Sequence, residues 1–152
     1  MKKFSKTLSV LVLSILVLTG CGKDKKEVMT CTRTLNQNNV EMGFTYKINY
    51  TGDYVNTIET TEEVKSENAE YLNTLKTAVE NTYAPYKNVE HYNYNVKIDG
   101  NKLVSTTKID YDKIDTKKLI ELDSANGKLI KDGKVKMNDL KQVYESLGAT
   151  CK

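Results

Sequence analysis

The residues of this chain whose types and spacing could do chemistry are few: the acid pair Glu62-Glu63, the lone histidine His91, the aspartates Asp110, Asp112 and Asp115, and the cysteines. A Ser-His-Asp or Cys-His nucleophile would have to use His91, because the chain holds one histidine. His91 lies among asparagines with no serine elbow nearby, so it reads as a solvated strand residue. Two carboxyls can cleave a glycosidic bond when they face each other across about 5–10 Å. Adjacent strand residues point to opposite faces, so Glu62-Glu63 does not qualify. The aspartates lack the D-x-[DN]-x-[DN]-G calcium loop, since Ile114 takes the third ligand place and no glycine follows. One histidine cannot complete a zinc site, and no glycine-rich phosphate loop is present. No catalytic residue, metal or cofactor is expected, and the chain is not expected to be an enzyme.

The N-terminus carries a different kind of chemistry. Lys2, Lys3 and Lys6 precede an apolar run from Leu8 to Leu18, and Leu18-Thr19-Gly20-Cys21 follows. A basic start, a short apolar stretch and small residues at a cleavage point make a secretory signal. The run is shorter than the roughly 20 residues that span a bilayer. With a cysteine directly after Leu18, Thr19 and Gly20, the segment resembles the lipoprotein signal of bacteria, which implies that Cys21 is lipidated and becomes the first residue. Residues 1–20 are then the signal, residues 21–28 a polar lipidated tether, and residues 29–152 a single domain. The expected location is the outer face of the cytoplasmic membrane.

Cleavage would remove three of the 23 basic side chains and none of the 20 acids, leaving a domain with no formal charge. Nucleic-acid binders carry a basic excess, so no nucleic-acid partner is expected. Apart from Cys21, the cysteines are the even pair Cys31 and Cys151, in a compartment that permits disulfides. A bridge is expected between them.

Val40, Met42, Phe44, Tyr46, Ile48 and Tyr50 alternate with polar residues, as a half-buried strand requires. A turn at Thr51-Gly52-Asp53 returns a second strand over Tyr54 to Val64, and a short strand over Thr30 to Leu35 precedes both. Glu67 to Tyr83 changes to helical spacing, with Ser66 as the expected cap and Pro85 as the stop. Val89 to Asp99 alternates again and turns back at Asp99-Gly100. Asp115 is expected to cap a short helix, Asp132-Gly133 to form a turn, and Asn138 to cap a last helix ending at Gly148. This order predicts an α+β fold: an antiparallel sheet of about four to five strands with helices packed on one face.

Tyr46, Tyr50, Tyr92 and Tyr94 share strand faces with Phe44, Ile48, Val96 and Ile98, so they are expected in the core with hydroxyls at its rim. The opposite face would carry Thr45, Lys47, Asn49, His91, Asn93, Asn95 and Lys97, the candidate binding face.

Taken together, the chain resembles the YehR-like family of small bacterial lipoproteins. The likeness runs through the Leu-Thr-Gly-Cys signal, the Phe44-Thr45-Tyr46 strand with Gly52-Asp53 after it, and a helix ending near Tyr86. It continues through the Ile109-Asp110-Tyr111-Asp112 strand end and the Lys131-Asp132-Gly133 turn with its helix. The resemblance implies an α+β domain tethered to a membrane, and no activity. The function expected is a non-enzymatic binding module of the cell envelope, anchored to the membrane through Cys21 and acting on an envelope or extracellular partner. Two alternatives are a carboxylate-dependent envelope hydrolase and the precursor of a peptide pheromone cut from the signal.

Overall fold

The computed structural model describes residues 25–37 and 40–152. The alternating stretches become long strands: β1 (Lys26–Gln37), β2 (Val40–Thr51) and β3 (Tyr54–Lys65) form an antiparallel meander. Gly52, at a φ of 57°, makes the tight return between β2 and β3. Helix α1 (Ala69–Tyr83) and a single 3-10 turn (Ala84–Tyr86) lead to the hairpin of β4 (Tyr92–Asp99) and β5 (Lys102–Asp110). Helices α2 (Thr116–Leu122) and α3 (Asn126–Leu129), the small hairpin β6 (Ile130–Lys131) and β7 (Lys134–Val135), α4 (Met137–Ser146) and β8 (Thr150–Cys151) complete the order.

The main sheet has six antiparallel strands in the order β4-β5-β3-β2-β1-β8, one more than the upper end of the sequence expectation. The added strand is β8, whose two residues pair with Cys31 and Thr32 and are too short to show any periodicity. Cys31 and Cys151 sit directly opposite each other in that pairing and are joined by a disulfide across 120 positions of sequence.

The first strand also begins earlier than the sequence led us to expect. Lys26, Glu27 and Val28 already belong to β1, paired with Thr51, Tyr50 and Asn49. The Tyr50 hydroxyl donates to Glu27 at 2.8 Å and helps to hold this start in place. The polar composition of the segment conceals a strand whose side chains face water.

One face of the sheet carries Met29, Cys31, Ile48 and Ile58, which share a buried cluster with Leu119 of α2 and Met137 and Leu140 of α4. Each such side chain contributes about 1.5–3 kcal/mol on burial. Helix α1 lies against β4 and β5 and buries Leu72.

The helix starts differ in detail from the sequence reading. Asn68, not Ser66, caps α1: its side chain accepts from the Tyr71 amide at 3.0 Å, while Ser66 Oγ accepts from the Asn68 amide. Asn138 lies inside α4, whose start needs no side-chain cap because the Asp53 carbonyl accepts from the Met137 amide at 2.9 Å. Asp115 does cap α2, accepting from the Lys117 and Lys118 amides. Tyr83 ends α1 two residues before Pro85, and Gly148 follows α4 at a φ of 86°.

Candidate functional site

The second face of the sheet is built by the alternate residues of the same strands. Register places Asn95, Thr106, Thr61, Thr45, Thr32 and Thr150 side by side, one from each of the six strands. Strand spacing sets these positions roughly 4.8 Å apart. The next row runs Asn93, Lys108, Glu59, Lys47 and Thr30. Thr32, Thr45, Lys47, Asn93, Asn95 and Lys97 are exposed, and Asn49 is half-buried.

Six of the seven side chains expected on this face therefore stand on it. The exception is His91, which precedes β4 and has a φ of 66°. A strand residue needs negative φ; His91 instead belongs to the turn closed by the Tyr92 amide on the Val89 carbonyl. Its carbonyl accepts from the Asp110 amide, and its ring lies 3.4 Å from Glu90. It extends the sheet's end rather than its face.

The sequence reading also left gaps in the middle. β5 and β3 lie between β4 and β2, so Thr61, Glu59, Thr106 and Lys108 join Asn93 and Asn95 to the β2 residues. Their own period of two was the available signal. Around these residues the face forms a shallow depression of about 390 Å³ lined by Glu59, Thr61, Asn93, Asn95, Thr106 and Lys108.

The charges on this face are largely matched. Lys108 donates to Glu59 at 2.8 Å, and Lys102 lies 3.5 Å from Glu63. The Lys108 hydrogen bond holds the Glu59 carboxyl below its ordinary value. Asn49 donates to the Thr57 hydroxyl at 2.7 Å. The face thus offers hydroxyls and amides in rows, with paired charges between them. Such a surface can hold a hydroxylated or amide-bearing partner through many weak hydrogen bonds.

The cluster side of the sheet is tyrosine-rich. Tyr46 stacks on Tyr144 at 4.1 Å between ring centroids, Tyr86 on Tyr92 at 4.6 Å and Tyr83 on Tyr94 at 5.5 Å. Burial raises the Tyr46, Tyr92 and Tyr144 hydroxyls and pushes Tyr111 up to about 12. Glu62 stands among these rings, opposite Phe44 on β2 and Ser105 on β5, and burial raises its carboxyl. Glu63 pairs with Gly43 and Val104 on the other face. The two carboxyls cannot flank one bond.

The three aspartates are each engaged by the chain itself. Asp110 accepts from the Asp112 amide, Asp112 accepts from the Asn56 side chain, and Asp115 caps α2. Among the described residues no group of three or more acids, histidines or cysteines is gathered as a metal site. No helix among them is long and apolar enough to cross a membrane. The expected signal with Leu18, Thr19 and Gly20, the expected lipidation site Cys21 and the first residues of the expected tether lie outside the described residues.

No family model matches the chain, and no curated protein matches it. Two solved structures are similar. The NMR structure of the E. coli YehR protein is 20% identical, with a TM-score of 0.57 over 84% of this chain and 91% of that one. The NMR structure of a protein from Streptococcus pneumoniae TIGR4 is 16% identical, with a TM-score of 0.54 over 100% of this chain and 98% of that one. At these identities the likeness concerns the fold, and in fold this chain is YehR-like, as its pattern of strands, turns and helices led us to expect.

Proposed function

We propose that this chain is a non-enzymatic lipoprotein of the cell envelope, held to the membrane by Cys21 and binding a polar partner through the Thr45 face of its sheet. The observation that carries the binding reading is the row from Asn95 to Thr150. Helix residues gather with Cys31, Ile48 and Ile58, and the opposite side chains of the same strands stay in water. A row of one amide and five hydroxyls across the six strands is more than solubility needs, since charged residues would serve that purpose better.

The anchoring reading is supported by the N-terminal residues and by the disulfide, which suits an oxidising compartment. β1 begins five residues after Cys21, a length of chain that reaches at most about 17 Å. The domain would sit against the bilayer rather than far from it. Two acyl chains on one cysteine would make the attachment lasting, where one gives only marginal binding.

The test has two arms. Metabolic labelling with a fatty acid should mark the native chain and not C21A. Immobilised wild-type protein should retain an envelope component that a T45R/T61R variant does not. Equal retention by both would remove the face from the proposal.

A further inference from the structure

We infer that the end of the sheet from which the tether leaves is a second contact with the membrane, a basic and aromatic patch centred on Tyr54 that presses on anionic lipid headgroups. The inference rests on the lipid anchor proposed above. It concerns the end row of the same side of the sheet, beyond the threonine row.

Three observations converge there. First, the register places Lys26, Thr51 and Tyr54 side by side, and Tyr54 bridges to Lys136. Lys134 lies over the Tyr54 ring, 4.8 Å from its centroid. Lys134 thus covers the ring, Lys136 is its bridge partner and Lys26 lies two strands across in the same row, while Tyr54 is 40% exposed. Second, Asp53 adjoins Tyr54 and Asp132 lies two residues before Lys134, yet neither forms an ion pair with these lysines. Among the described residues the ion pairs join other lysines, and Lys26, Lys134 and Lys136 have no carboxylate within 4.0 Å. Glu27, the acid next to Lys26, is occupied by the Tyr50 hydroxyl. Third, Lys26 is where the described strand meets the chain that runs back to Cys21. The patch is thus the part of the domain that a lipid on Cys21 brings within about 17 Å of the bilayer.

Once the lysines come within a Debye length of the headgroups, about 8–10 Å, each adds about fivefold to the partitioning of a surface segment. Tyrosine suits the same depth, with its ring among the headgroups and its hydroxyl in water. A soluble polyanion would satisfy the lysines equally but has no use for the exposed ring or for the anchor beside it. Docking at this end would stand the strands of the sheet away from the membrane. The threonine face would then open sideways into the envelope, with the Asp99–Lys102 hairpin at the far end.

The chain contains no tryptophan, so Y54W introduces a single fluorescent reporter at the patch. A matching N36W variant reports from the far end of β1, where Asn36 pairs with Glu41. The full lipidated chain, purified from membranes, is reconstituted into vesicles of phosphatidylcholine with or without phosphatidylglycerol, carrying brominated acyl chains. Y54W should emit to the blue of N36W and be quenched several-fold more strongly in the anionic vesicles. K134E/K136E in the Y54W chain should remove that quenching while the protein still floats with the vesicles.

A chain that floats while Y54W is quenched no more than N36W overturns the patch. Equal quenching with and without phosphatidylglycerol overturns the role of the lysines. A native chain that fails to float with neutral vesicles overturns the anchor and takes the patch with it.

Discussion

Glu62 and Glu63 are consecutive in β3, yet they stand on opposite faces of the sheet, Glu62 against Phe44 and Ser105 and Glu63 against Gly43 and Val104. One residue of separation decides whether a carboxylate meets tyrosines or water. It also divides the sheet into a packed side and an open side.

The buried member of the pair has a pH signature. Burial raises the Glu62 carboxyl, so the folded chain holds that proton more tightly than the unfolded chain does. The preference favours the fold at low pH and is lost as pH rises through the ordinary carboxylate range and on to the raised value. E62Q should therefore raise the melting temperature at pH 7, with the gain vanishing near pH 3. Glu59 works in the opposite sense, because Lys108 lowers its carboxyl. E59Q should cost a little stability at pH 7 and nothing once the pH falls below that lowered value. Thermal melts of both variants across pH would check the two signs together.

The Cys31–Cys151 bridge closes nearly the whole domain into one loop, 120 positions apart. In the chain-entropy model a loop of that size is worth about 5 kcal/mol. That is a large share of the 5–15 kcal/mol typical of a domain. C31S/C151S should lower the unfolding free energy obtained from urea denaturation by that amount. It should also release β8, which holds β1 by only two ladder residues. A loss of unfolding free energy under about 1 kcal/mol would show that native strain offsets the entropy gained.

The threonine row separates binding from stability. Thr45 is exposed, and its neighbour Thr61 lies on the same open side, so T45R/T61R should leave the unfolding free energy within about 1 kcal/mol of wild type. The same change should abolish partner retention. A large loss of stability would mean that the row is part of the packing.

Processing tests the anchor. C21A should accumulate at the mass of the uncleaved chain and take up no fatty acid label, whereas wild type should lose residues 1–20. Electrophoresis with radiolabelled palmitate reads both. Normal labelling of C21A would move the modification elsewhere.

Much of the fold was legible because alternation and turn chemistry are local. Phe44 to Tyr50 announced a strand, and Gly100 and Gly133, at φ of 59° and 75°, sit in the turns that Asp-Gly pairs predicted. Three features escaped for physical reasons. β8 is stabilised by its partner and the disulfide, not by its own two residues. Lys26 to Val28 form a strand without an apolar face, so composition made them look like tether. His91 takes a left-handed conformation that its neighbours' alternation hides. The candidate face was half legible: β2 and β4 supplied Thr45, Lys47, Asn49, Asn93, Asn95 and Lys97. Alternation puts Thr61 and Thr106 on a polar side, but their place between β2 and β4 depends on strand order, which no local pattern encodes.

The proposal that the Thr45 side of the sheet is the binding surface meets its most direct test in living cells. A photoreactive amino acid is placed at Thr61 or Thr106 on that side, and at Thr77 or Thr82 on the exposed flank of α1. Irradiation should join Thr61 and Thr106 to the same envelope component and leave Thr77 and Thr82 unjoined. Adducts confined to Thr77 and Thr82, or none at Thr61 and Thr106, would contradict it.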